Sequence, residues 1–214
     1  MRELELVRDR YDSRTGSVAR QFDRICEILA ALGYLERHDE DPNGLDYRLT
    51  EHGQLLRRLY SEQDLILAQA ICNGTLKLLP PACLASALSS LVYEARRGGG
   101  GEPRYYPGGS QGPVAIAAQE LRGIHASIRM MCEDDGLPAP PQPDFGIADI
   151  MYEWADGEDL AAVLRGVELT GGDFVRNAKR LTDVLQQIAT AAPLLGPDGE
   201  ALAATAHEAE IGRA

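Results

Sequence analysis

The segment GDFVRNAKRLTDVLQQIATAAP, from Gly172 to Pro193, constrains the fold more than any other stretch of this chain. Phe174, Ala178, Leu181, Leu185 and Ile188 recur at steps of four and three, the spacing that collects side chains on one face of an α-helix. A stripe this long must be covered by other elements, and the Leu/Ala-rich composition with few aromatics makes those elements helices. The segment carries a second, polar stripe. Arg176, Arg180, Asp183, Gln187 and Thr190 keep the same step on another face, forming a ladder of hydrogen-bonding groups of the kind that tracks a nucleic-acid strand. From spacing alone, the same residues are also the ordinary solvated side of an amphipathic helix.

The rest of the chain predicts more helices and one ribbon. Ser17 is a good N-cap for a helix running to Leu32, with Val18, Phe22, Ile25, Leu29 and Leu32 on one face, and Gly33 stops it. Tyr34-Leu35 and Tyr47-Arg48-Leu49 flank a polar loop containing Asp41-Pro42-Asn43-Gly44, which predicts a short two-stranded ribbon within residues 34–49. Thr50 caps a helix that ends near Tyr60. Ser61 and Asp64 form a capping-box pattern ahead of Leu65, Ala68 and Cys72, and Asn73-Gly74 closes that helix. Pro80-Pro81 opens another, with Leu84, Leu88, Leu91 and Ala95 along its buried face. The stretch GGGGEPRYYPGGSQGP, residues 98–113, has no periodic apolar face and is expected to be a mobile surface loop. It lacks the strand-to-helix setting and the Lys followed by Ser or Thr that a phosphate-cradling loop needs. Val114, Ala117, Leu121, Ile124, Ile128 and Met131 then mark the seam of a long bundle helix. After the Pro138 to Pro143 break, helices are expected over Ile147 to Ala155, over Leu160 to Leu164, and finally over Glu200 to Glu210. The expected class is all-α, a helical bundle with a short two-stranded ribbon, and the 214 residues fit a single such unit.

Several function classes find no support. His38, His52, His125 and His207 are isolated, HExxH and GxSxG are absent, and Glu133-Asp134-Asp135 lies at a helix end beside Gly136. The chain alone is therefore not expected to be an enzyme. Cys26, Cys72, Cys83 and Cys132 form no CxxC pair, so neither zinc nor a disulfide framework is expected. No run approaches a membrane span and MRELELVRDR is no secretory signal, so the expected location is the cytoplasm, with no membrane partner. The net charge of -12 repels a phosphate backbone. The acid is concentrated late, however: residues 1–97 hold 13 basic and 15 acidic side chains, residues 98–214 hold 8 and 18. Any nucleic-acid contact must be local, or be completed by a more basic partner.

Two resemblances bear on function. SVARQFDRICEILAALGYLERHDEDPNGLDYRLTEHGQLL resembles the recognition helix and wing of winged-helix transcription regulators of the MarR and PadR kind, with Arg20 and Arg24 on the groove-entering helix and Glu36 to Arg48 as the wing. Those regulators place about two helices before the recognition helix, and residues 1–16 cannot supply them. This alternative would imply DNA binding as a dimer.

The second resemblance covers about Thr15 to Pro193. RTGSVARQFDRICEILAALGYLE, LTEHGQLLRRLYSEQDLILAQAICNGTLKLLPPACLASALSSLVYEARR, DFGIADIMYEWADGEDLAAVL and GGDFVRNAKRLTDVLQQIATAAP stand in the order and approximate spacing of the C-terminal DSHCT domain of superkiller-type, exosome-associated DEAD/DExH-box RNA helicases, including actinobacterial members. Three departures stand out: no ATPase core with Walker motifs, ALAATAHEAEIGRA in place of a more basic final helix, and a glycine-rich loop at 98–113. The resemblance implies a helical bundle over 17–214 that closes on the helicase core, residues 1–16 as the end of a preceding arch-type segment, and a ratchet helix along the exit path of single-stranded RNA. It implies Arg176, Lys179, Arg180, Asp183 and Gln187 on that helix, and Glu94 in LVYEARR, as RNA-facing residues. It also implies that ATP and magnesium belong to the parent's core rather than to this chain, which needs no cofactor. The implied partners are single-stranded RNA, the ATPase core in cis, and an RNA-degrading complex. A protein-interaction scaffold that docks on a core without touching RNA is a further alternative.

Overall fold

The computed structural model describes residues 18–38, 47–95 and 101–211. Helix α1 covers residues 18–31. Strands β1 (Leu35–Arg37) and β2 (Tyr47–Leu49) form an antiparallel ribbon, with Leu35 opposite Leu49 and Arg37 opposite Tyr47. Helices α2 (Glu51–Leu56), α3 (Asp64–Cys72), α4 (Pro81–Ser89), α5 (Pro113–Asp134), α6 (Ala148–Asp156), α7 (Leu160–Val163), α8 (Gly171–Ala191) and α9 (Pro197–Ile211) follow, with a 3-10 turn at Ala192–Leu195 before the last. This is the expected all-α bundle with a short ribbon. The segment preceding residue 17, read above as the end of an arch, lies outside the described residues, as does the Asp41 to Gly44 loop. Among the described residues no helix is long and apolar enough to cross a membrane.

Helix α4 is the centre of the bundle. Its stretch Cys83 to Ser90 is buried on every side, and α5, α6, α8 and α9 all pack against it. The sequence predicted a single buried face reaching Ala95, whereas the helix ends at Ser89 and has no solvent face over these residues. Small side chains make this possible: Ala85 and Ala87 admit close neighbours, and the serines satisfy their own hydroxyls. Ser86 Oγ donates to Ala148 O at 2.6 Å, Ser89 Oγ to Ser86 O at 2.7 Å and Ser90 Oγ to Ala87 O at 2.7 Å, so the buried polar groups cost little.

Pro81 and Thr50 start helices as expected, while α5 begins at Pro113 rather than after it and α9 at Pro197 rather than at Glu200. Pro81, Pro113 and Pro197 occupy first helical positions, where the missing N–H is no loss. Thr50 Oγ1 accepts from Gly53 N at 3.1 Å and donates to Gly33 O at 2.6 Å, which joins the start of α2 to the end of α1. The capping box at Ser61 and Asp64 does not form. Helix α3 begins only at Asp64, whose Oδ1 accepts from Leu65 N at 2.7 Å, and Ser61 Oγ has no hydrogen-bond partner among the described residues.

Helix α1 also departs from expectation. Val18, Phe22 and Ile25 are 65%, 64% and 45% exposed, and the helix is held on the core through Ile28 with the predicted Leu29 and Leu32 at and just beyond its end. The periodicity was real, but only the C-terminal part of α1 meets the bundle. The expected mobile loop at 98–113 is, over residues 101–112, a tethered strap. Arg104 pairs with buried Asp149 and lies 3.3 Å from Glu153, while Tyr105 Oη donates to Glu153 at 2.7 Å. Burial, and then the Glu153 carboxylate, push the Tyr105 phenol from 10.0 up to about 12. A phenol raised in the fold keeps its stabilising contact below its ordinary pKa and loses it as pH climbs through the raised value, so this tether persists to about pH 10.

Gly53 shows why ribbon and bundle fit together. A Cβ there would stand 2.2 Å from Tyr34 O and 2.9 Å from Leu49 Cδ2. Gly→Ala inside a helix normally stabilises by about 1 kcal/mol, whereas Gly53→Ala is expected to destabilise by about 2 kcal/mol through overpacking. Urea unfolding would show the reversal of sign.

Candidate nucleic-acid interface

Thr170 fixes the start of α8. Its Oγ1 accepts from Asp173 N at 3.1 Å and donates to Asp173 Oδ2 at 2.8 Å, a reciprocal cap that places an acid at the positive end of the helix dipole. Phe174, Ala178, Leu181, Val184, Leu185 and Ile188 point into the core, and the Phe174 ring meets Trp154 edge-on at 5.5 Å. At 3.6 residues per turn, Arg176, Lys179, Arg180, Asp183, Gln187 and Thr190 then share an arc of about 100° on the outer side.

The structure distinguishes these six residues. Arg176 is exposed and lies 3.2 Å from Asp173. Lys179 is exposed, with no ion pair among the described residues. Arg180 Nη1 donates to Val92 O at 3.3 Å, which anchors the guanidinium against the segment following α4 and leaves its other N–H groups available. Asp183 is exposed, with no ion pair among the described residues. Gln187 is committed elsewhere: its Oε1 accepts from Tyr60 N at 2.6 Å and its Nε2 donates to Tyr60 O at 3.3 Å. Thr190 Oγ1 donates to Gln186 O at 2.9 Å within its own helix.

Glu94 is exposed, two residues beyond the carbonyl that holds Arg180. Its segment is fastened by Asp144, a buried carboxylate that the sequence reading missed. Asp144 accepts from Ala95 N at 3.2 Å, Gly101 N at 3.1 Å and Gly146 N at 2.9 Å, while its own N–H donates to Ser90 O at 2.9 Å. One side chain thus ties the end of α4, the strap and the approach to α6 together. The only sequence signal was an aspartate in the Pro-rich break before an apolar run.

The outer arc of α8, Leu91-Val92 and the 60–64 turn enclose an open groove of about 540 Å³. Tyr60, Glu62, Asp64, Arg180 and Asp183 supply much of its lining. Burial pushes the Asp64 carboxyl above its ordinary value. The turn at 60–64 was read only as a helix boundary, because nothing local marks it as a neighbour of a helix over a hundred residues later. Among the described residues no three His, Cys, Asp or Glu side chains gather as a metal site.

The winged-helix residues are placed differently. Arg20 is exposed on α1, but Arg24 Nη1 donates to Asp135 O at 2.8 Å, at the end of α5. A base-reading role would have to break that contact.

The DSHCT (NUC185) domain matches residues 46–212. A protein named "Probable helicase HelY" from Mycobacterium leprae (strain TN) is 35% identical over 192 residues, covering 84% of this chain and 20% of that protein. Its namesake from Mycobacterium tuberculosis (strain ATCC 25618 / H37Rv) is 34% identical over 189 residues, with the same coverage of each. "Exosome RNA helicase MTR4" of Homo sapiens is 20% identical over 144 residues, covering 67% of this chain and 14% of that protein. The chain thus spans about a fifth of the length of the relatives it matches best among these.

Proposed function

The chain belongs to the DSHCT (NUC185) domain family, and on that premise we propose that it is the non-catalytic part of an ATP-dependent RNA helicase that lines the path of single-stranded RNA and packs on the ATPase core. It is homologous to part of helicases, including RNA helicases. The observation that carries the finer reading is the outer arc of α8: Arg176, Lys179 and Arg180 stand exposed on one face, and Arg180 is braced on the Val92 carbonyl. Translocation without regard to sequence needs contacts to phosphates and base faces, which guanidinium groups provide by hydrogen bonding and stacking. ATP and magnesium would be bound by the core, and an RNA-degrading complex is the partner that the name of the human relative suggests.

The reading implies weak, salt-sensitive RNA binding by the chain itself, since the overall charge of -12 opposes a polyanion. Arg176→Ala with Arg180→Ala is expected to lower the slope of log affinity against log salt by about 1.4, at roughly 0.7 per lost phosphate contact on a single strand. Fluorescence anisotropy with a labelled oligoribonucleotide measures it. Sub-micromolar binding at physiological salt that survives both substitutions would remove α8 from the RNA path.

A further inference from the structure

Tyr60 is the aromatic residue of the groove, and it is 78% exposed. Its backbone is nevertheless held on both sides by one side chain: Gln187 accepts from its N–H and donates to its C=O. Two hydrogen bonds from a planar amide fix the position of the residue against α8 while leaving its ring uncovered. A polar ladder residue is thereby used to present an aromatic one. The groove beside the ring is also the wrong place for a phosphate. Glu62, Asp64 and Asp183 line it against one cation among the described residues, Arg180, so a polyanion is repelled there, whereas the exocyclic amino groups of a base find carboxylate acceptors. Phosphates instead suit the outer arc of α8, where Arg176, Lys179 and the remaining N–H groups of Arg180 are exposed.

We infer that Tyr60 is a base-stacking platform: one base of a single strand enters the groove, lies on the Tyr60 ring and turns its edge toward Asp183, while the flanking phosphates stay on the cations of α8. The inference rests on the reading of α8 as an RNA-path helix. It reassigns Gln187 from a strand contact to a positioning residue, which acts by holding Tyr60. The contribution of such a platform does not depend on salt, because every base has a π-face and no counterion is released by stacking.

The test uses the whole chain with a single-stranded oligoribonucleotide carrying 5-iodouridine, and with a matched strand whose sugars lack bases. Tyr60→Ala is expected to weaken binding of the base-bearing strand about tenfold, within the range stacking provides, with the salt slope unchanged. Tyr60→Phe keeps the affinity. Irradiation should cross-link the iodinated base to Tyr60, and Gln187→Ala should reduce that cross-link while the protein remains folded. On the abasic strand, Tyr60→Ala and the parent chain should bind alike. If Tyr60→Ala binds the base-bearing strand as tightly as the parent, the platform is wrong while a surviving salt slope still supports α8. If the parent chain shows no salt-dependent RNA binding at all, both readings fall together.

Discussion

Asp144→Ala is expected to lower the free energy of unfolding by about 3 to 5 kcal/mol. The carboxylate accepts from three backbone N–H groups on three separate segments, and each partly buried donor left without an acceptor costs about 1 to 3 kcal/mol, reduced where water can reach it. Asp144→Asn should lie between the two, since one amide oxygen can serve at most part of the cradle and the charge assistance is gone. Urea denaturation followed by circular dichroism measures both, and a midpoint unchanged in the alanine variant would contradict the cradle. The consequence extends to the groove. Residues 91–95 lose their anchor, so Val92 no longer holds its carbonyl against Arg180, and RNA binding should fall even though Asp144 is buried away from the outer arc.

Arg104→Ala is expected to cost about 3 kcal/mol, because it strands Asp149. That carboxylate is fully buried, its Oδ2 is held by Arg104, and its Oδ1 has no partner among the described residues. Removing one member of a buried pair leaves an uncompensated charge, typically worth about 3 to 5 kcal/mol; the half-exposed guanidinium places this case at the lower end. Arg104→Ala combined with Asp149→Asn should therefore be more stable than Arg104→Ala alone, a coupling that thermal unfolding of the four proteins in the cycle resolves. Equal stability of the two variants would mean that solvent already compensates Asp149. The strap is expected to loosen along with the pair, since Glu153, its other anchor, shares Arg104 with Asp149.

The elements most legible in the sequence were those whose burial is one-sided and long. Helices α5 and α8 carry unbroken apolar stripes, and every core position predicted in them is buried except Met131, which is half-buried. The central helix α4 was only partly legible, since a run of Ala and Ser has no periodic contrast between a wet and a dry face. Helix α1 was misread for the converse reason: Val18, Phe22 and Ile25 have the right spacing, but the fold offers this chain no surface to cover them among the described residues. The strap looked mobile because glycine and proline dominate it, while its tethers, Arg104 and Tyr105, reach partners more than forty positions away. Of the candidate site, the outer face of α8 was evident. The commitment of Gln187 to Tyr60 and the cradle at Asp144 were not, because both join residues far apart in the chain.

By itself, the sequence determined the helical class, the ribbon, the principal core faces, the kinship with DSHCT domains and the two stripes of α8. Each of these follows from local periodicity, end signals or the order of segments along the chain. Only the tertiary structure decided what the polar stripe meets: Arg180 braced on a carbonyl, Gln187 turned into a clamp, and Tyr60 left bare beside a carboxylate-lined groove. Periodicity says which side of a helix is dry. What stands opposite its wet side depends on contacts across long sequence separations, and no local pattern encodes those.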